Sequence, residues 1–193
     1  MKYVLAILLV ALAIASAAHA QDKTLIRYQL DNGLDVILVP DDRVPKVVVD
    51  LSYRVGSMNE PPGRSGFAHL FEHLMFAGTP AYPNIDIAYG PLGVSINAYT
   101  WDDRTTYFAE GLSSALPFML SVEADRMANQ GASITVDDLD IQRDVVLNEM
   151  RQNVLDLVSE AGMEALRTSL FPSPHPYSRA IIGSIPDLEA ATI

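Results

Sequence analysis

The chain reads as an α+β fold of two layers, a mainly antiparallel sheet with helices packed on one face. Three observations predict this. Several short segments alternate apolar and polar residues with a period of two, others place apolar residues at helical spacing, and the order along the chain is strands, helix, strands, helices.

Thr24 to Leu30 alternates loosely and meets Asp31-Asn32-Gly33, a hairpin turn signal, before a strand from Leu34 to Val39 that ends at Pro40. A third strand carries Val47, Val48, Val49, Leu51, Tyr53 and Val55, followed by a Pro- and Gly-rich loop from Asn59 to Gly66. The period then changes. Phe67, Leu70, Phe71, Leu74 and Met75 form an apolar helix face, with Ser65 as the expected N-cap and Gly78 and Pro80 as the stop. Tyr82 to Gly93 reads as a loop or short helix. Val94 to Thr100 and Thr105 to Glu110 read as strands joined across Trp101-Asp102-Asp103-Arg104. Ser113 or Ser114 is expected to cap the next helix, with Pro117 in its first turn and Gly131 at its close. Thr135 and Asp138 form a capping box for a further helix, expected to run to about Leu170, where Pro172, Pro174 and Pro176 break it. Asp187 to Ala191 begins another helix near the C-terminus.

The 193 residues suffice for one domain with a hydrophobic core, and 49% hydrophobic content argues against disorder. Residues 1–20 read as a signal peptide: Lys2, an apolar run from Val4 to Ala15, and Ala18-His19-Ala20 as a cleavage site. The run is shorter than the roughly 20 residues of a membrane span, so no membrane association is expected beyond this signal. The formal charge is −11 and becomes −12 without Lys2, which disfavours nucleic acid as a partner. The absence of cysteine leaves any metal site to histidines and carboxylates. An exported location, periplasmic or secreted, is expected, with residues 21–193 forming one domain that is incomplete at its C-terminus.

His69-Leu70-Phe71-Glu72-His73 is the chemical signature. On a helix, residues four apart project from one face, so His69 and His73 can hold one tetrahedral metal. Glu72 lies beside that face, placed to take a proton from an attacking water. A helix can also carry such residues on a solvated surface without purpose; two of the chain's four histidines in this motif weigh against that. A third ligand is expected, with Glu123, Asp125, Asp144, Glu149 and Glu160 as candidates that spacing alone does not separate. Two imidazoles and a carboxylate would also suit Fe(II) or Mn(II).

The segment Gly66 to Thr79, with Asn97-Ala98-Tyr99-Thr100, Asp103 to Tyr107, Glu123 to Met127, Arg143 to Glu149 and His175-Pro176-Tyr177, resembles the pitrilysin family of inverted-motif zinc peptidases. The resemblance runs from about Leu30 to the end. It implies one Zn2+ per chain held by His69, His73 and Glu149, since members carry the third ligand about 76 residues after the second histidine and Glu149 stands 76 residues after His73. It implies Glu72 as catalytic base, a peptide substrate lying along the strand of Asn97 and Ala98, and a homologous C-terminal half or partner subunit closing over the substrate. Gln142 stands where members often have a Glu that hydrogen-bonds a metal ligand, and its amide would bond a ligand without adding negative charge. Trp101, Tyr107 and Phe67 read as packing residues, Arg104 as an ion-pair partner and His175 as a loop packing residue. The expected activity is zinc-dependent endopeptidase; the alternative is a non-catalytic binding or assembly subunit.

Overall fold

The structure, a computed structural model, describes residues 25–155 and 158–193, without the side chains of 153–161. The expected signal segment lies outside the described residues. The chain divides into two units at Pro45. The first is an antiparallel hairpin of β1 (Ile26–Gln29) and β2 (Asp35–Leu38), in register Ile26 to Leu38 and Gln29 to Asp35. Its turn is the expected one. Gly33 takes φ 87°, its N–H donates to Leu30 C=O, and Asn32 Oδ1 accepts from Leu34 N–H.

The second unit holds a three-stranded antiparallel sheet in the order β3 (Lys46–Tyr53), β5 (Thr105–Leu112), β4 (Ser95–Thr100). The register pairs Tyr53 with Thr105 and Val47 with Gly111, and on the other side Thr100 with Thr105 and Ala98 with Tyr107. One face therefore carries Val47, Val49, Leu51, Tyr53, Ile96, Ala98, Thr100, Tyr107 and Ala109. These residues are more covered than their neighbours in β3 and β4, where Val48 is 58% exposed. That asymmetry bears out the single helix-covered face.

The helices are α1 (Phe67–Leu74), α2 (Ile85–Tyr89), α3 (Leu116–Ser133), α4 (Val136–Glu149), α5 (Val158–Leu170) and α6 (Ile185–Glu189). Two apolar clusters hold α1 to α4 and α6. Ile85, Tyr89, Met119 and Val122 pack on the sheet around Ala109, while Leu70 and Leu74 of α1 meet Leu139, Val146 and Leu147 of α4 and Leu188 of α6. Each such side chain, fully removed from water, contributes on the order of 1.5–3 kcal/mol. Phe67 joins the second cluster as expected, but Phe71 points outward, 46% exposed, because α1 is buried along a narrower stripe than its apolar residues suggest.

Several ends differ from expectation. Gly66, left-handed at φ 95°, precedes α1 in place of Ser65. Its donors are met at a distance: Glu60, 6% exposed, accepts from Gly66 N–H (3.0 Å) and Ala68 N–H (2.8 Å). Ser113 to Ala115 form a 3-10 turn, so α3 starts at Leu116 without a side-chain cap, and it passes Gly131 to end at Ser133. The Thr135 and Asp138 capping box forms. The expected single helix to Leu170 is interrupted, because α4 ends at Glu149 and a π-helical stretch, Met150–Leu155, follows. Among the described residues no helix is long and apolar enough to cross a membrane.

Candidate metal centre

α1 and α4 pack through their leucines and valines, and this contact sets the residues beside it face to face. His69 and His73 project from α1 at one-turn spacing, with ring centroids 4.8 Å apart. Glu149, the last residue of α4, reaches both: its Oε2 lies 3.3 Å from His73 Nε2 and 3.8 Å from His69 Nε2. One ligand atom from each of the three lies within 4.8 Å of the others, the only such group of three or more among the described residues. Glu149 sits where α4 gives way to the π-helical stretch, a wide turn that is frequent at functional sites.

The electrostatics suit a cation. Burial, and secondarily His73, lowers the His69 pKa to about 4, so its imidazole is neutral and its lone pair free at neutral pH. The contact with Glu149 is accordingly not an ion pair there. His69 Nδ1 is buried without a hydrogen-bond partner, and Nε2 is the ring nitrogen that faces Glu149. Two imidazole nitrogens and one carboxylate oxygen are the donor set of an open zinc site.

Glu72 lies on the same helix, 7% exposed. Burial pushes its pKa up, the Thr100 hydrogen bond pulls it back, and Glu149 raises it further. Thr100 Oγ1 donates to Glu72 Oε2 at 2.5 Å from the end of β4, a contact that sequence reasoning missed. No local pattern announces it, because the partners are 28 residues apart and meet only through the packing of α1 on β4.

A cavity of about 980 Å³ opens over these groups. His69, Glu72, His73 and Glu149 line one side, Asn97 to Thr100 of β4 another, and Met163, Leu166, Leu170 and Phe171 an apolar wall. Arg167 fastens that wall, donating to Asp102 Oδ1 at 2.6 Å and to the Tyr177 and Arg179 carbonyls. Asn97 is exposed, and its Oδ1 accepts from Ala98 N–H at 2.8 Å. Gln142 is half-buried, and no hydrogen bond joins it to the three ligand candidates. Elsewhere, Tyr107 is buried as expected, whereas Trp101 is 50% exposed and touches only the Tyr99 ring among the described aromatics. Arg104 pairs with its neighbour Asp103, and His175 packs against Phe171 and Tyr177.

An α+β layer bearing two imidazoles four residues apart, a carboxylate between them and a second carboxylate from a neighbouring helix defines a metallopeptidase domain of the inverted-motif class. The family model described as insulinase, peptidase family M16, matches residues 35–182, and the chain belongs to that family. A Mycobacterium tuberculosis protein described as an uncharacterized zinc protease is 33% identical over 86% of this chain and 37% of its own length. The crystal structure of a protease from Helicobacter pylori superposes with a TM-score of 0.82 at 29% identity, over 89% of this chain and 41% of that one. The periplasmic protease PqqL from Escherichia coli superposes with a TM-score of 0.77 at 26% identity, over 89% of this chain and 20% of that one. The chain thus spans well under half the length of these relatives.

Proposed function

We propose that His69, His73 and Glu149 hold one zinc ion per chain, that Glu72 is the general base, and that the parent protein is an endopeptidase acting on peptides or unfolded segments. The observation that carries this reading is the convergence of the three ligand atoms within 4.8 Å beside a buried carboxylate. A bound zinc would supply Lewis acidity to water and to the scissile carbonyl. Glu72 takes the proton of the attacking water and returns it to the leaving amine. Its raised pKa suits both halves of that task, and Thr100 holds its carboxylate in one orientation. The outer edge of β4 is unpaired among the described residues and runs along the cavity. An extended peptide adds there through main-chain hydrogen bonds, with Asn97 and Ala98 flanking it.

A second reading concerns this chain by itself. Because it spans 37% to 41% of the first two relatives, it binds zinc and peptide but turns over poorly without a homologous half or partner subunit. Export to the periplasm is proposed from the signal-like N-terminus and the periplasmic relative.

The test is zinc per purified chain by elemental analysis, with Glu149→Ala beside it. The expected result is about one zinc in the wild type and a strong loss in the variant. Glu72→Gln keeps the zinc and loses peptide hydrolysis when the chain is complemented by a family C-terminal half. A folded wild-type chain without zinc overturns the metal assignment; undiminished hydrolysis by Glu72→Gln overturns the assignment of the base.

A further inference from the structure

A second cavity, of about 550 Å³, shares no lining residue with the first. Phe67, Phe71, Met75 and Met127 make it apolar, and Tyr53 and Arg126 bring polar groups to its wall. Arg126 is 2% exposed, and its guanidinium lies over the Tyr107 ring at 4.6 Å and the Phe76 ring at 5.5 Å. Its one ionic contact runs from Nη1 to Glu123 Oε1 at 3.5 Å. Nε and Nη2 are buried and have no hydrogen-bond partner, nor has the Tyr53 hydroxyl. Those two nitrogens form the side edge of the guanidinium, whose parallel N–H groups match the two oxygens of a carboxylate. A complete bidentate edge left empty inside a protein is rare, because buried donors are almost always paired.

We propose that this cavity is a second ligand site, for a carboxylate carried on an apolar group. The carboxylate takes the Nε and Nη2 edge of Arg126 and the Tyr53 hydroxyl, and the apolar group lies among the phenylalanines and methionines. Arg64 joins Arg126 in the lining, and the lining carboxylate, Glu60, is committed to the Gly66 and Ala68 N–H groups. Met75 and Met127, unbranched and adaptable, are the side chains that turn aside to admit the ligand to the enclosed edge. Two sources share this chemistry, a fatty acid and the free C-terminus of a peptide ending in an apolar residue.

The test uses the whole chain stripped of metal, so that the zinc ligands cannot capture the carboxylate through an ion. Decanoate, decanol, and a short peptide ending in leucine, as free acid and as amide, are titrated by calorimetry. The expected result is saturable binding of at least one acid, at least tenfold tighter than its neutral counterpart. Binding of decanoate alone identifies the fatty acid as the source, and binding of the free-acid peptide alone identifies the chain terminus. Tyr53→Phe, which keeps the ring, weakens the acid several-fold, and Arg126→Met abolishes its advantage. Absence of binding by either acid at millimolar concentration overturns the proposal, as does equal binding of acid and neutral forms. If Arg126→Met does not fold, unchanged acid affinity in folded Tyr53→Phe overturns it as well.

Discussion

At the scale of single residues, the centre depends on a histidine kept neutral by burial. The His69 pKa is about 4 in the folded chain against 6.5 when unfolded. Between those values the unfolded chain holds the extra proton, so stability rises with pH across this window and is lost as pH falls through it. The full difference is on the order of 3 kcal/mol. Between pH 7 and pH 5 the metal-free wild type should lose about 2 kcal/mol more stability in denaturant melts than His69→Gln. Parallel pH dependence of the two would show that burial does not hold the ring neutral. The imidazole pair was legible in the sequence because helical spacing is a local rule. Glu149 was not separable from other acidic residues by spacing and needed the family resemblance. Thr100 escaped both routes, since its role arises where β4 meets α1.

At the scale of elements, the helix that carries His69 and His73 has an unusual start. Gly66 offers no side chain to cap it, so a buried carboxylate six residues upstream receives the Gly66 and Ala68 N–H groups. Glu60→Ala should cost about 1–2 kcal/mol, the range of a lost N-cap. It should also speed amide exchange at residues 66–70 while leaving α3 protected. Unchanged exchange at 66–70 would remove Glu60 from this role. Helix existence was predictable from apolar spacing, and the ends were not. Ser65 was a chemically reasonable cap, but the left-handed Gly66 stands between it and the helix. The π-helical stretch after Glu149 was equally hidden, because apolar residues continue at nearly helical spacing across it.

At the scale of the whole second unit, the start of α1 is braced by the last part of the chain. Gly66 and Gly183 meet back to back; a Cβ on Gly183 would lie 2.3 Å from Gly66 Cα. Ser65 N–H donates to Asp187 Oδ2 at 2.8 Å across the same contact, and Arg179 donates to the Glu60 carbonyl. Gly183→Ala should therefore cost more than about 2 kcal/mol and weaken zinc binding, because backbone must move where α1 begins. Gly63→Ala is the control. It also has positive φ, 81°, but open space around its Cβ, and should cost only about 1–2 kcal/mol. Equal losses in the two variants would show that the close approach is not what matters. Sequence reading found the α+β class and the helix-covered face, because alternation and order along the chain encode both. It had no access to the glycine pair, whose members are over a hundred residues apart.

The distance along the chain between His73 and Glu149 also has a meaning in time. During synthesis at about 5–20 residues per second, the 76 residues from Leu74 to Glu149 take roughly 4–15 seconds to appear. For that interval the two imidazoles exist without their carboxylate, on a helix whose brace at Gly183 is later still. On the proposed assignment an ion met then finds two of its three ligands. On the proposed assignment lasting capture waits for Glu149, so metal loading reports that α1 and α4 have packed.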